Sequence, residues 1–209
     1  GPGGTSTFTY DQSAGCGSID VDYIATISGD AGQLTTYVWD FGNGQTGNVA
    51  DPAPVNYAAP GNYTASLQTV ISNYVITSVN LAGVNGNWSG DADDLFSTAD
   101  PYFTINNAAG SAVYTSGTVN NQTSASYANV NFTLSNPPYT ITFWDSDDIT
   151  QDDNLGTSSF NIAVGSQSFN SGNGTSGTIN IALSEVTNVS ASTSISVFPQ
   201  PDATVSVSG

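Results

Sequence analysis

Apolar and polar residues alternate in short runs along this chain: Ile19-Asp-Val21-Asp-Tyr23, Tyr63-Thr-Ala-Ser-Leu67-Gln-Thr-Val70, Val130-Asn-Phe132-Thr-Leu134, Ile141-Thr-Phe143 and Thr178-Ile-Asn-Ile-Ala-Leu183. A period of two puts every second side chain on one face of an extended strand, so each run predicts a strand with one buried face. Gly, Asn and Pro separate the runs, and helical periodicity is nearly absent. Short strands between turn residues predict an all-β protein built of sandwiches, and a chain of 209 residues holds two of them better than one. The first boundary is placed near Asn73, where the strand ending in Val70-Ile71 gives way to a fresh one, Tyr74-Val-Ile-Thr-Ser-Val-Asn-Leu81. This predicts one sandwich over residues 1–73 and a second over 74–187. Residues 188–209 then contain a small-residue linker, Ser190-Ala-Ser-Thr-Ser-Ile195, and a segment too short to form a domain.

Composition narrows the function more than the fold. The chain has 17 acidic side chains and no Lys, Arg or His, giving a formal net charge of −17. Phosphate clamps built on Lys or Arg are excluded, and with them the electrostatic footprint of a nucleic-acid binder. Bare anionic membranes repel such a chain. No His is present for a Ser-His or Cys-His pair and no Lys for a Schiff base, so a non-catalytic role is expected. Disorder is rejected because 38% of residues are hydrophobic and 11% aromatic, enough to build a core. The apolar runs are too short and broken to span a membrane, and Gly1-Pro2-Gly3-Gly4 reads as a processed or trimmed end. The single Cys, Cys16, is expected to be a small buried hydrophobe, since nothing cationic is available to lower its pKa.

In the first half, Tyr37-Val-Trp39-Asp-Phe41-Gly-Asn-Gly44 is followed by Tyr57-Ala-Ala-Pro60-Gly-Asn-Tyr63-Thr64. The pair resembles the signature of the polycystic-kidney-disease (PKD) domain family over residues 5 to 72, with Asn43 where the family usually carries Asp. The resemblance implies an immunoglobulin-like sandwich serving as a spacer or interaction module on an extracellular protein. Trp39 and Phe41 share a strand face and are expected in the core, with Gly42 and Gly44 permitting the turn. Asp40 is expected to tie that turn to backbone amides rather than to hold a cation.

The acids are unevenly placed. Nine of the 17 lie in two stretches, Asp91, Asp93, Asp94 and Asp100 in one and Asp145, Asp147, Asp148, Asp152 and Asp153 in the other. Neighbouring carboxylates repel by about 1 kcal/mol or more per pair, and no basic side chain can offset this, so a multivalent, oxygen-seeking cation is the expected compensation. Asp145 and Asp147 point to one side of an extended chain, and Asp153 returns across the loop to face them.

This spacing resembles the calcium-dependent lipid-binding domains of synaptotagmins and protein kinase C. In that eight-stranded sandwich an Asp precedes an Asp-Pro-Tyr strand start, and a later loop carries three spaced Asp residues and a Gly. The matching positions are Asp94, Asp100, Asp145, Asp147, Asp153 and Gly156, over roughly residues 74 to 184. The resemblance implies Ca2+ as the bound ion and those five aspartates as ligands, with Thr150 as a hydroxyl ligand and the Ser146 carbonyl as a further oxygen. Asp93 replaces Asp94 if the first loop shifts by one residue. Asp91, Asp93, Asp148 and Asp152 are otherwise spare acids. A glycosidase pair among these acids is disfavoured, because it needs one acid kept protonated in an apolar site.

Members that bind lipid usually add basic residues, and this chain has none, so membrane binding is not expected. Leu95, Phe96 and Ile149 are left as apolar loop positions that could reach a bilayer or, preferentially, a partner. The C-terminal Ile195-Ser-Val-Phe198-Pro199-Gln-Pro201 resembles the opening of the sorting domain of type IX secretion substrates, with Gln200 in place of the usual Asn. That resemblance implies export to the surface of a Bacteroidota-type cell. The expectation is therefore a secreted or cell-surface, calcium-binding module of an adhesin or fibre-like appendage, whose partners are other surface proteins or copies of itself. An accessory carbohydrate- or peptide-binding region of a secreted hydrolase is the alternative, with Trp88, Tyr102, Tyr127 and Tyr139 as candidate exposed aromatics. A calcium-switched lipid binder is a further alternative.

Overall fold

The computed structural model describes residues 4–89 and 98–202, and these are almost entirely strand and turn. Two compact units result, one of residues 1–29, 34–72 and 185–209, the other of residues 30–33 and 73–184.

In the first unit β1 (Ser6–Tyr10), β2 (Ala14–Cys16), β3 (Ile19–Val21), β4 (Tyr23–Ile27), β5 (Gln33–Asp40), β6 (Thr46–Gly47), β7 (Val55–Tyr57) and the start of β8 (Gly61–Gly83) are short and antiparallel where they pair in sequence order. Alternation does what the sequence predicts: Ile19, Val21 and Tyr23 are buried while Asp20 and Asp22 are exposed. Trp39 is fully buried and stacks on Phe41 with ring centroids 5.5 Å apart, and the edge of Phe8 meets Trp39 at 5.1 Å. Polar atoms carried into this core are satisfied. The Trp39 Nε1–H donates to the Val49 carbonyl at 2.8 Å, and the Tyr57 hydroxyl donates to the Phe41 carbonyl at 2.9 Å and lies 2.8 Å from the Tyr23 hydroxyl. Burial raises both phenols above the ordinary tyrosine value, Tyr23 the more strongly.

Eight strands build the second unit, four from one four-stranded sheet and four from a seven-stranded sheet whose other members, β2, β5 and β6, belong to the first unit. Its strands are the latter part of β8, then β9 (Pro101–Asn106), β10 (Ala112–Thr115), β11 (Ala125–Thr133), β12 (Thr140–Asp145), β13 (Asp153–Ser159), β14 (Gly165–Asn170) and the first part of β15 (Ser176–Phe198). One sheet runs β10-β9-β12-β13, and the other places β14, β15, β8 and β11 side by side. Aromatic rings join the two inner faces: Phe103 meets Tyr127 edge-on at 5.0 Å, and Phe143 stacks on Phe169 at 5.2 Å. Such contacts add about 0.5–1.5 kcal/mol each beyond area burial.

The division between the units falls at Ser72/Asn73, the position expected, but inside one strand: β8 is continuous from Gly61 to Gly83 and supplies a strand to each unit. The C-terminal segment departs from the expected segmentation. Residues 190–198, read in sequence as a linker and the start of a separate segment, belong to β15. Ile195 and Val197 are buried in the core of the first unit, and Ser196–Phe198 pair in parallel with β2. Small polar residues suit an extended strand flanked by neighbours as well as they suit a linker, and composition alone does not separate the two. Cys16 is likewise corrected: it is exposed on β2, out of line with the buried Ile19 and Val21.

Two glycines in the Trp39–Gly44 turn have left-handed φ, 75° at Gly42 and 88° at Gly44, but differ in surroundings. A Cβ on Gly42 would lie 2.5 Å from the Thr64 carbonyl oxygen, whereas one on Gly44 meets nothing within 4 Å. Gly44→Ala is therefore expected to cost about 1 kcal/mol, for the backbone conformation alone. Gly42→Ala is expected to cost about 2 kcal/mol more, because overlap with main chain cannot be relieved by a rotamer change. Urea midpoints of the two variants measure the difference.

Candidate metal centre and an adjacent groove

Strand β12 determines where the acids go. Ile141 and Phe143 point into the sandwich, and the same alternation carries Asp145 to the inner face at the strand's end, where it is 1% exposed. Its neighbours in the sheet are Pro101 of β9 and Asp153 of β13, so the Asp145 and Asp153 side chains emerge on the same face. The Asp100 backbone N–H donates to Asp145 Oδ1 at 2.5 Å, and the Ser146 N–H donates back to the Asp100 carbonyl at 3.1 Å. Asp100 Oδ1 in turn accepts the Asn121 N–H at 2.5 Å. Oδ2 of Asp145 and Oδ2 of Asp147 are both shielded from solvent.

Asp152 has a definite position in this arrangement rather than being a spare acid. Its Oδ1 accepts the Asp147 N–H at 3.2 Å, which closes the β12–β13 loop, and its Oδ2 accepts the Tyr102 hydroxyl at 2.6 Å. Burial, and then the hydrogen bond and negative charge of Asp152, push the Tyr102 phenol up to about 12. Gly156, the glycine of the loop pattern, has φ 132°, and a Cβ there would lie 2.6 Å from Ser171 Oγ. The glycine thus permits the loop base to pack closely against the neighbouring turn.

The sequence-predicted ligands Asp100, Asp145, Ser146, Asp147 and Asp153 are brought to one end of the second unit. Asp91, Asp93 and Asp94 fall outside the described residues, as do the loop-tip candidates Leu95 and Phe96. Among the described residues no three acidic side chains converge closely enough to form a metal site by themselves. Asp148 is exposed, and Ile149 is 76% exposed at the loop tip. Asp40, in the first unit, accepts the Gly42 N–H at 2.9 Å, the backbone-tying role expected of it.

Of the four aromatics considered as ligand contacts, Tyr127 and Tyr139 are core residues and Trp88 packs against the core. Tyr102 alone lies on the outer face of its sheet, and the sequence reading missed its partner. Trp144 is directly opposite Tyr102 in the β12–β9 register, so the two side chains share that face. Together they line an open groove of about 480 Å³ with Thr104, Asn106, Gln151 and Asp152; Thr150 also lines this groove. The signal was present in the alternation of Tyr102, Thr104 and Asn106 against Phe103 and Ile105.

Comparison with known proteins finds a PKD domain over residues 7–78. No curated protein matches the chain. PKD domains are typically extracellular, and no helix among the described residues is long and apolar enough to cross a membrane.

The Tyr102–Asp152 bond is a charge-assisted contact between half-buried groups. A double-mutant cycle with Tyr102→Phe and Asp152→Asn, read by urea denaturation, is expected to return a coupling of about 1.5 kcal/mol.

Proposed function

We propose that this chain is a non-catalytic, calcium-binding module of an extracellular or cell-surface protein, an adhesin or fibre-like appendage, in which calcium secures the acidic loop end of the second sandwich. The observation that carries this reading is Asp145, a carboxylate only 1% exposed in a chain without a single basic side chain. A buried carboxylate costs several kcal/mol unless opposing charge or hydrogen bonds compensate. Asp147 and Asp153 beside it add like charge, and the available donors near them are oxygens, which suit a hard cation. Asp100, Asp145, Asp147 and Asp153, joined by Asp93 or Asp94 from the first loop, would hold the ion. Its contribution is charge neutralisation and cross-linking of loops that otherwise repel one another.

The PKD domain supports placement outside the cell, among modules that space or join surface proteins. Export of the type IX kind from a Bacteroidota cell is part of the proposal and rests on the Phe198-Pro-Gln-Pro201 motif. A chain without Lys or Arg offers trypsin-like proteases no cleavage site, a property suited to exposed surface structures.

Thermal melts of the metal-stripped protein with and without calcium test the reading. Calcium at a hundredfold excess over its dissociation constant adds about 2.7 kcal/mol, or roughly 5–10 °C for a protein of this size. The shift is expected to vanish in Asp145→Asn/Asp147→Asn. An equal melting temperature with and without calcium contradicts the proposal.

A further inference from the structure

The groove on the outer face of the β10-β9-β12-β13 sheet borders the acidic loop, which supplies Thr150, Gln151 and Asp152 to its rim, but its aromatic and amide lining has chemistry of its own. Tyr102 and Trp144 are half-buried, and each is tied by its polar end: Tyr102 by its hydroxyl to Asp152 Oδ2 at 2.6 Å, Trp144 by its Nε1–H to Thr104 Oγ1 at 3.2 Å. Two aromatic side chains are thereby held side by side on one sheet face, with little ordering left to be done when a ligand arrives. Thr104, Asn106 and Gln151 add neutral hydroxyl and amide groups to the lining, and Asn106 is held in place by donating from Nδ2 to Thr142 Oγ1 at 2.9 Å behind it. The volume of about 480 Å³ is that of a small-molecule or short-oligomer site.

The lining selects among ligands. An anion has no cationic side chain to meet anywhere in a chain of net charge −17, so the groove's own residues disfavour phosphorylated, sulfated and uronic-acid ligands. The groove's one carboxylate, Asp152, accepts a hydrogen bond on each oxygen and keeps acceptor capacity for a ligand hydroxyl, beside the neutral hydroxyls and amides of the lining. A ligand that matches fixed aromatic faces and a mostly neutral polar lining has one apolar C–H face and many hydroxyl edges. A pyranose ring is such a group. We infer that the groove lined by Tyr102, Trp144, Thr104, Asn106 and Gln151 binds a neutral oligosaccharide. The inference does not depend on calcium at the acidic loops, and it makes the second sandwich a sugar-contacting module.

Affinity electrophoresis suits this strongly anionic chain, run in native gels containing hydroxyethylcellulose, soluble starch, a soluble β-1,3-glucan or galactomannan, with calcium and again with EDTA. Retardation by at least one neutral polysaccharide is expected, at least tenfold weaker in Trp144→Ala, with none in gels containing alginate. Ala112→Glu, at an exposed edge-strand position lining the groove, obstructs it without touching the core and is expected to abolish retardation as well. Retardation by none of the four overturns the inference. So does retardation unchanged in both variants, or binding only to alginate or to peptides. Loss of retardation together with an unchanged calcium-dependent melt separates failure of this inference from failure of the calcium reading.

Discussion

Every buried carboxylate must be offset by backbone dipoles, by a proton or by a positive charge, and a chain with no Lys, Arg or His cannot supply the last from its own side chains. Asp145 is where that constraint acts most strongly. It occupies the position on β12 that would continue the core row of Ile141 and Phe143, yet it carries a carboxyl group. The main chain answers through the Asp100 N–H, and the loops are arranged around the result: Asp153 sits opposite, and Asp152 binds Tyr102 and the Asp147 backbone. The loop end is therefore a place where backbone hydrogen bonding and electrostatic repulsion oppose each other. The proposed cation would resolve that opposition by neutralising the acids.

Alternation made the strands legible from sequence because a two-residue period with one buried face has few other readings. The burial of Ile19, Val21 and Tyr23, and of Ile179 and Ile181, follows it directly. The turn after Trp39 was legible for a different reason, since Gly42 and Asp40 are residue types with narrow uses at such a site. Domain assignment was harder. Local composition cannot report that Ile195 and Val197 return to a core begun at Ile19, nor that β8 runs unbroken through Asn73.

The candidate sites divide along the same line. The spacing of Asp145, Asp147 and Asp153 was visible because it is confined to one loop, and the structure places Asp145 opposite Asp153 as that spacing implies. The groove was invisible because it depends on cross-strand register, which brings Trp144 beside Tyr102 from 42 positions away. Thr150, given a place among the ligands by its position in the loop, lines the groove as well. Asp152 links the two regions physically, with one oxygen on the loop backbone and the other on a groove aromatic. The first unit, similar to PKD domains over residues 7–78, contributes a core of well-satisfied aromatics and an Asx-closed turn.

The central claim is that the acids at the end of the second sandwich hold calcium. Native mass spectrometry of the metal-stripped protein, titrated with calcium, counts bound ions without reference to stability. The account predicts discrete calcium adducts at low excess of metal, fewer of them in Asp145→Asn. A spectrum without adducts, or equal uptake by the two proteins, would contradict it.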